Sequence, residues 1–430
     1  MSETNEEEIV LQATRTTAGG KLFRLLIGAL ILVSAAAQFA LIPVMPVYAH
    51  RLGLSGFQQG MVLGATGLAA LAVSLPAGTL SDRFGARRLT LAAGLLMAAA
   101  MLAQALAGSF PALLAARLAF GAGYAMVWTA GLCWLADAAG GPQALGGSVA
   151  SAGIGGVAGP AASGALTQHL GLAVPLLATA ASFAVITGTL GSLRVLPGAA
   201  APRRATAGLR TAARDREVIG AAAAVVVAGL STGACALLVP AQLHAAGAST
   251  GQIGLDFAAA GMLFAAGSAL TAAAGRRAVC LPVICGGILA VIAALSLGAL
   301  STASLAIIVM LCVATAARSV LWTVSYPLAA SAAGRGGTGM GAAVGLLNGI
   351  WAATAVLGPL AAGLAAEHFT ARGAFGLTAA ICAAALAVTA AMAWPALHPA
   401  RRAAPHRRDP DLADGGMLLR SGSQHHGSPS

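Results

Sequence analysis

The chain has 430 residues, of which 58% are hydrophobic and only 9% are charged. About a quarter of the residues of a soluble domain are charged, so this composition excludes a water-soluble fold. The net charge of +11 raises the question of a nucleic-acid partner. The positions of the basic residues, given below, explain this charge without one.

The first 20 residues are predicted to be a disordered cytoplasmic tail. They contain four glutamates at positions 3, 6, 7 and 8, which a secretory signal with a basic start would lack. Twelve apolar runs follow, each long enough to cross a bilayer as a helix. They cover 22–45, 57–79, 87–109, 111–135, 144–166, 172–194, 218–240, 252–274, 279–300, 303–329, 342–365 and 372–396. The runs are continuous rather than alternating, which disfavours a β-barrel.

The distribution of Lys and Arg sets the predicted orientation. With the N-terminus in the cytoplasm, only Arg51 and Arg372 fall in outer loops, and Arg117 and Arg318 fall inside runs. The other 20 of the 24 basic residues then lie in cytoplasmic segments. This asymmetry predicts an integral cell-membrane protein with both termini in the cytoplasm, whose basic loops can touch anionic lipid.

The chain also contains an internal repeat. At an offset of 194 residues, Pro46, His50, Gly53, Ser55, Gln58, Gly60 and Gly67 match Pro240, His244, Gly247, Ser249, Gln252, Gly254 and Gly261. At an offset of 199, Gly146, Gly159, Pro160, Gly164 and His169 match Gly345, Gly358, Pro359, Gly363 and His368. Six helices per unit is an even number, so both halves face the same way.

The repeat predicts the domain organisation. An N-terminal six-helix bundle covers 21–196, a cytoplasmic linker covers 197–216, and a C-terminal six-helix bundle covers 217–398. Residues 399–430 are predicted to be a disordered cytoplasmic tail. The expected fold is an all-α integral membrane protein of twelve transmembrane helices, with two bundles related by a pseudo-twofold axis along the membrane normal.

The loop between the second and third runs carries a dense motif. Residues 78–88 read GTLSDRFGARR. Glycine permits a tight turn, and an aspartate beside an arginine can form a switchable ion pair at a helix end. The candidate residues are Gly78, Asp82, Arg83, Gly85, Arg87 and Arg88. The alternative is a basic loop that only obeys the topology rule.

This loop resembles the signature G-x-L-[AS]-D-R-x-G-R-R of the major facilitator superfamily, with Ala86 in place of the usual basic residue. Residues 117–123, RLAFGAG, are similar to the R-x-x-x-G-x-G motif of that family. The fifth run resembles the antiporter motif, with Ser163 replacing one closing glycine. Its matching residues are Gly146, Gly155, Gly159, Pro160 and Gly164. The resemblance covers roughly 20–398 and is closest to the twelve-helix drug:proton antiporter branch.

The resemblance implies roles for these positions. Asp82 and Arg83, helped by Asp137, would belong to a cytoplasmic lock that holds the outward-facing state shut. Arg117 would take part in proton coupling. The glycines of the fifth run and Pro160 would shape a close contact between the halves, although helix packing alone explains the glycines equally well.

Charged residues inside the runs are the remaining signal. An Arg at a helix centre costs about 2.5–3.5 kcal/mol on insertion scales, so it usually faces protein or water. Arg318 is expected to line the substrate cavity, while Arg117 could instead reach the outer interface. The candidate proton carriers are Asp256, Asp82, His50 and His244. The alternative for Asp256 is an exposed aspartate at a helix start, and for the two histidines it is a solvated loop position, which is the stronger interpretation.

Three further residues are candidates for the cavity. The first run contains no Asp or Glu, and its main polar residue is Gln38. Trp128 and Trp322 match in the repeat and could stack against a substrate, but a role in helix packing is the stronger interpretation. With so few charges available, weakly polar or apolar compounds are the expected substrates.

The sequence contains no ATPase-type Gly-Lys loop, no Ser/His/Asp cluster and no set of metal ligands in the apolar runs. We therefore expect a transporter rather than an enzyme, with no cofactor and no metal, acting as a monomer. Its partners would be a small molecule, protons and the lipid bilayer. The favoured function is proton-coupled efflux by alternating access. Uptake of a nutrient, or a channel or non-transporting sensor, are the alternatives.

Overall fold

A computed structural model describes residues 3–139, 145–193, 215–335 and 340–397. All regular structure in these ranges is helical, as the sequence predicts. The described residues up to Ala393 form one compact unit. The linker 197–216 and the tail 399–430 lie almost wholly outside the described residues.

The described ranges contain twelve α-helices, which differ in number and bounds from membrane crossings. They are α1 (Glu3–Leu52), α2 (Gly56–Phe84), α3 (Ala86–Leu106), α4 (Phe110–Met126), α5 (Leu132–Ala139), α6 (Leu145–Leu170), α7 (Ala173–Ser192), α8 (Arg216–Ala245), α9 (Thr250–Ala273), α10 (Leu281–Leu300), α11 (Ser304–Arg335) and α12 (Met340–Leu397). A π-helical turn, Val127–Gly131, joins α4 to α5. Thr370 interrupts α12 with a φ of 84°.

Ten stretches of the described residues are long and apolar enough to cross a membrane. The Gly- and Ser-rich α6 is not among them, and the last stretch, Ala343–Met392, runs through the break at Thr370. The helix α1 begins at Glu3, whereas the sequence predicts a disordered tail over 1–20.

Matching helix starts explain part of the internal repeat. At the start of α2, the Ser55 hydroxyl accepts a bond from Gln58 N at 3.2 Å, and Ser55 N donates to Gln58 Oε1 at 3.0 Å. Ser249 and Gln252 make the same reciprocal pair at the start of α9, at 3.2 and 2.9 Å. Both are capping boxes, which satisfy two backbone donors that a helix start leaves free.

The loops before these two helices also match. Gly53 has a φ of 62° and Gly247 a φ of 89°. Side chains with a Cβ rarely adopt this left-handed region, so glycine is favoured at both positions. Several repeated identities therefore encode a turn and a helix start.

Small residues bring α1 and α6 together over much of their length. A Cβ on Gly155 would overlap the carbonyl of Leu32, and a Cβ on Gly159 would overlap the backbone of Ala36. These two glycines of the predicted antiporter motif thus pack against α1, in the same repeat, which is the use of small residues expected where membrane helices touch backbone to backbone.

Candidate substrate cavity

A cavity of about 130 Å³ lies between helices of the two sequence repeats. Its lining comes from α1, α2 and α4 of the first repeat and from α8 and α12 of the second. The lining residues are Gln38, Phe39, Ile42, Leu63, Thr66, Gly67, Ala70, Arg117, Tyr124, Gly229, Thr232, Gly233, Ala236, Trp351, Ala355 and Pro359. One charged residue, Arg117, is among them. The rest of the lining is mostly apolar.

Arg117 is 1% exposed, on the second turn of α4. Its Nη2 donates to the carbonyl oxygen of Gln38 at 2.9 Å and to Gln38 Oε1 at 3.2 Å. Its guanidinium lies over the ring of Phe120, 4.9 Å from the centroid. Among the described residues, its Nε and Nη1 have no hydrogen-bond partner. Arg117 therefore faces protein and the cavity, and the alternative that it reaches the outer interface does not fit this burial.

Aromatic rings extend from Arg117 along α4. The rings of Phe120 and Tyr124 are 6.1 Å apart, and those of Tyr124 and Trp128 are 5.9 Å apart. Tyr124 lines the cavity, and Trp128 packs behind it. These spacings are those of favourable aromatic pairs.

The opposite wall has a similar arrangement. Trp351 lines the cavity, and the ring of Trp322 meets it edge-on with centroids 5.9 Å apart. Trp322 also packs against Tyr326 at 5.2 Å. The repeated tryptophans, Trp128 and Trp322, thus each support an aromatic residue of the lining from behind.

Arg318 is buried in α11 but does not contribute to the cavity lining. Its Nη2 donates to Thr315 Oγ1 at 2.5 Å, and its Nη1 contacts Cys235 Sγ at 3.6 Å. Asp256 is partly buried in α9. Gln38 and Arg318 are both predicted from the sequence to line a substrate cavity; of the two, Gln38 lies in the lining described above.

The loop after α2 is described in part. Gly85 has a φ of 88°, and Arg83 lies over the ring of Phe84, 5.3 Å from its centroid. Arg87 Nη2 donates to the carbonyls of Gly191 at 2.7 Å and Leu193 at 3.2 Å, at the end of α7. A cation is favoured at a helix C-terminus. Arg88 is exposed. The surroundings of Gly78, Asp82, Asp137 and Gly146 lie outside the described residues.

Two close helix contacts connect the repeats at the end of the cavity nearest the loop 53–55. A Cβ on Gly60 of α2 would overlap the carbonyl of Pro359 in α12, and a Cβ on Gly254 of α9 would overlap that of Pro160 in α6. Gly60 matches Gly254 in the repeat, and Pro160 matches Pro359, so each repeat gives one glycine and one proline. We call these two contacts the seam.

Next to the seam, at the starts of α2 and α9, the two repeats carry different side chains. Glu367 Oε1 accepts a bond from Phe57 N at the start of α2, at 2.8 Å. The repeat places Gln168 at the corresponding position, against Gly251 at the start of α9. Thr250 Oγ1 donates to the carbonyl of Gly164 at 3.0 Å in the same contact. One contact of the seam thus carries a carboxylate and the other a neutral amide.

Sequence reasoning missed Thr66, Tyr124, Trp351 and Glu367. Only Glu367 had a signal, since Gln168 and Glu367 directly precede the matched histidines of the repeat. Within the described residues, no three His, Cys, Asp or Glu side chains come together as metal ligands would.

Residues 27–344 match the family model of the Major Facilitator Superfamily. An uncharacterised transporter of this type, YuxJ of Bacillus subtilis (strain 168), is 32% identical over 154 residues, which cover 34% of this chain and 39% of that protein. The match therefore spans less than half the length of that relative.

Solved structures share the fold at low sequence identity. A bacterial homologue of the human lysosomal transporter Spinster, in an inward-facing conformation, has a TM-score of 0.73 at 15% identity, covering 88% of this chain and 98% of that chain. The nucleoside transporter NupG has a TM-score of 0.69 at 14% identity, covering 87% and 98%.

Proposed function

Because the chain belongs to the major facilitator superfamily, we propose that it is a secondary transporter that exports a small organic molecule in exchange for protons. Membership of this family, and the fold shared with solved transporters, make the chain a membrane transporter. The direction of transport, its coupling to protons and the chemical class of the substrate are our proposals.

The observation that carries the proposal is the cavity between the two repeats. Its walls come from both repeats, and one end is closed by the seam. Rocking of 21–196 against 217–398 would open that end and close the other, which gives alternating access to one central site. A ligand shifts such an equilibrium only by its difference in affinity for the two states.

The proposed topology has twelve crossings. Ten stretches meet the requirements of length and composition. The eleventh is α6, and the twelfth arises when α12 is divided at Thr370. With both termini in the cytoplasm, the seam lies at the outer face, so the conformation faces inward.

The direction of transport and its coupling rest on the motifs. The antiporter-like residues of α6 support efflux. Pro160 of that motif takes part in the seam, and Gly164 packs beside it against Thr250 and Gly254. Asp256, partly buried in α9, is the proposed proton carrier. Asp82, Arg83 and Asp137 are the proposed cytoplasmic lock of the outward-facing state.

Inside-out vesicles that carry a proton gradient test this proposal. Addition of a transported compound from a broad panel of small organic molecules should dissipate part of the gradient, as read by a pH-sensitive dye. Asp256→Asn should abolish this response and keep binding of the compound. If no compound dissipates the gradient, the proposal is wrong. Accumulation of a labelled nutrient in intact cells would establish uptake instead.

A further inference from the structure

The cavity carries a buried positive charge with free bonding capacity. Building on the proposed function, we propose that the transported molecule is an organic anion, an apolar or aromatic monocarboxylate, whose carboxylate pairs with Arg117. This assigns Arg117 to the substrate and leaves Asp256 to carry the proton.

Arg117 has no negatively charged partner in the described part of the chain. Arg117 is 1% exposed, and no Asp or Glu side chain in the described part of the chain pairs with it. Gln38 supplies only neutral oxygens. A desolvated cation is costly unless it is paired, so a negative ligand lowers the free energy of this site in a way that a neutral ligand cannot.

Hydrogen-bonding groups of Arg117 are left free within the described structure. Only its Nη2 donates to a described residue, while Nε and Nη1 have no partner there. Their N–H groups can donate charge-assisted hydrogen bonds to the oxygens of a carboxylate. Thr66 Oγ1, also buried and without a partner in the described structure, belongs to the same lining and can donate a further hydrogen bond.

The electric charge and the shape of the rest of the cavity wall also suit an anion. Within the described lining, no acidic residue is present to repel an anion or attract a cation. Phe39, Leu63, Tyr124 and Trp351 offer apolar and aromatic surface around a volume of about 130 Å³. This combination of one charged anchor and an apolar wall suits a small carboxylate with a single ring or a short chain.

Binding to the purified full-length protein in detergent tests the proposal without requiring transport. The probes are benzoate and hexanoate, their neutral amides benzamide and hexanamide, and the cations benzylamine and hexylamine. We expect at least one carboxylate to bind about tenfold or more tightly than its amide and its amine. Equal binding of all three forms, or preference for the amine or the amide, would overturn the proposal.

The variants identify the anchor. Arg117→Gln should remove the preference for carboxylate, and Arg117→Lys should retain part of it because the charge remains. The control is Arg372→Gln, which removes an arginine that bonds the carbonyls of Ala299 and Leu300 outside the cavity. It should bind like wild type. Carboxylate preference that survives in a folded Arg117→Gln protein would refute the proposal.

Different results would overturn proton-coupled export and the carboxylate substrate. In proteoliposomes with a proton gradient, transport of amides or amines but not carboxylates would overturn the anionic substrate and leave proton-coupled transport standing. Carboxylate binding through Arg117 with no proton flux for any probe would refute the coupling and support the anionic site.

Discussion

At the scale of single residues, the contact between Arg117 and Gln38 holds the charge that the proposed carboxylate substrate would meet. Both oxygens of Gln38 accept from the same guanidinium nitrogen, which orients the group and leaves its other nitrogens free. The cost of burying this charge is thus only partly offset within the protein.

Substitutions of Gln38 therefore have opposite effects on stability. Gln38→Leu removes one hydrogen bond to a charged group and should lower the free energy of unfolding by about 1.5–3 kcal/mol. Gln38→Glu supplies a carboxylate to Arg117 and should raise the melting temperature in detergent. The same internal carboxylate should weaken benzoate binding by about tenfold or more, as read by calorimetry. Unchanged benzoate affinity in Gln38→Glu would contradict the assignment of Arg117.

The sequence predicted part of this site. A charge within an apolar run is conspicuous, so Arg117 and Arg318 could be identified from sequence alone. Both bond partners within their own repeat, but Arg117 belongs to the cavity lining and Arg318, bonded to Thr315, does not. Such partners depend on helix packing. Aromatic lining such as Trp351 carries no local signal, because an aromatic residue in an apolar run is equally compatible with the core.

At the scale of the elements, glycine and proline determine where the repeats meet. The repeat predicted that Gly60 corresponds to Gly254 and Pro160 to Pro359. It did not predict that each glycine meets the proline of the other repeat, because a sequence match does not specify helix neighbours. The motif of α6 is likewise divided, since Gly155 and Gly159 pack on α1 while Pro160 and Gly164 meet α9.

Enlarging a glycine of the seam should favour the conformation in which the seam is open. Gly60→Val adds a side chain that overlaps the backbone of Pro359, and backbone cannot be displaced as cheaply as a side chain. Distances between spin labels at His50 and His368, both exposed, should lengthen. Gly153→Val is the matched control because the space around Gly153 is open. Equal distance distributions in Gly60→Val and wild type would contradict this view of the seam.

The carboxylate of the seam gives a second prediction. Glu367 accepts from Phe57 N, at the positive end of α2, so Glu367→Gln should loosen the closed outer end. Gln168→Glu places a carboxylate at the corresponding position near the start of α9 and should tighten it. Exchange of backbone amides in residues 56–60 should rise in the first variant. Identical exchange in both variants and wild type would refute the role of this charge.

At the scale of the whole molecule, the two repeats surround one cavity. We propose that they move apart first at one end of this cavity and then at the other. The composition predicted a membrane protein of helices, because continuous apolar runs leave the backbone no other partner in lipid. The proposed substrate path between the repeats is inferred from the duplicated helix contacts, not from any single sequence motif. Rigid movement of one repeat against the other is the motion that such contacts permit.

A reversible crosslink between the repeats tests whether they must separate for transport. In a background without the six native cysteines, Gly64→Cys and Val356→Cys place two thiols across the contact of α2 with α12, next to the seam, since a Cβ at position 64 lies 3.4 Å from the Cα of Val356. Transport into proteoliposomes is measured before oxidation, after it, and after reduction. We predict that the disulfide stops transport and that its reduction restores transport. Full-rate transport by the fully crosslinked protein would contradict alternating access.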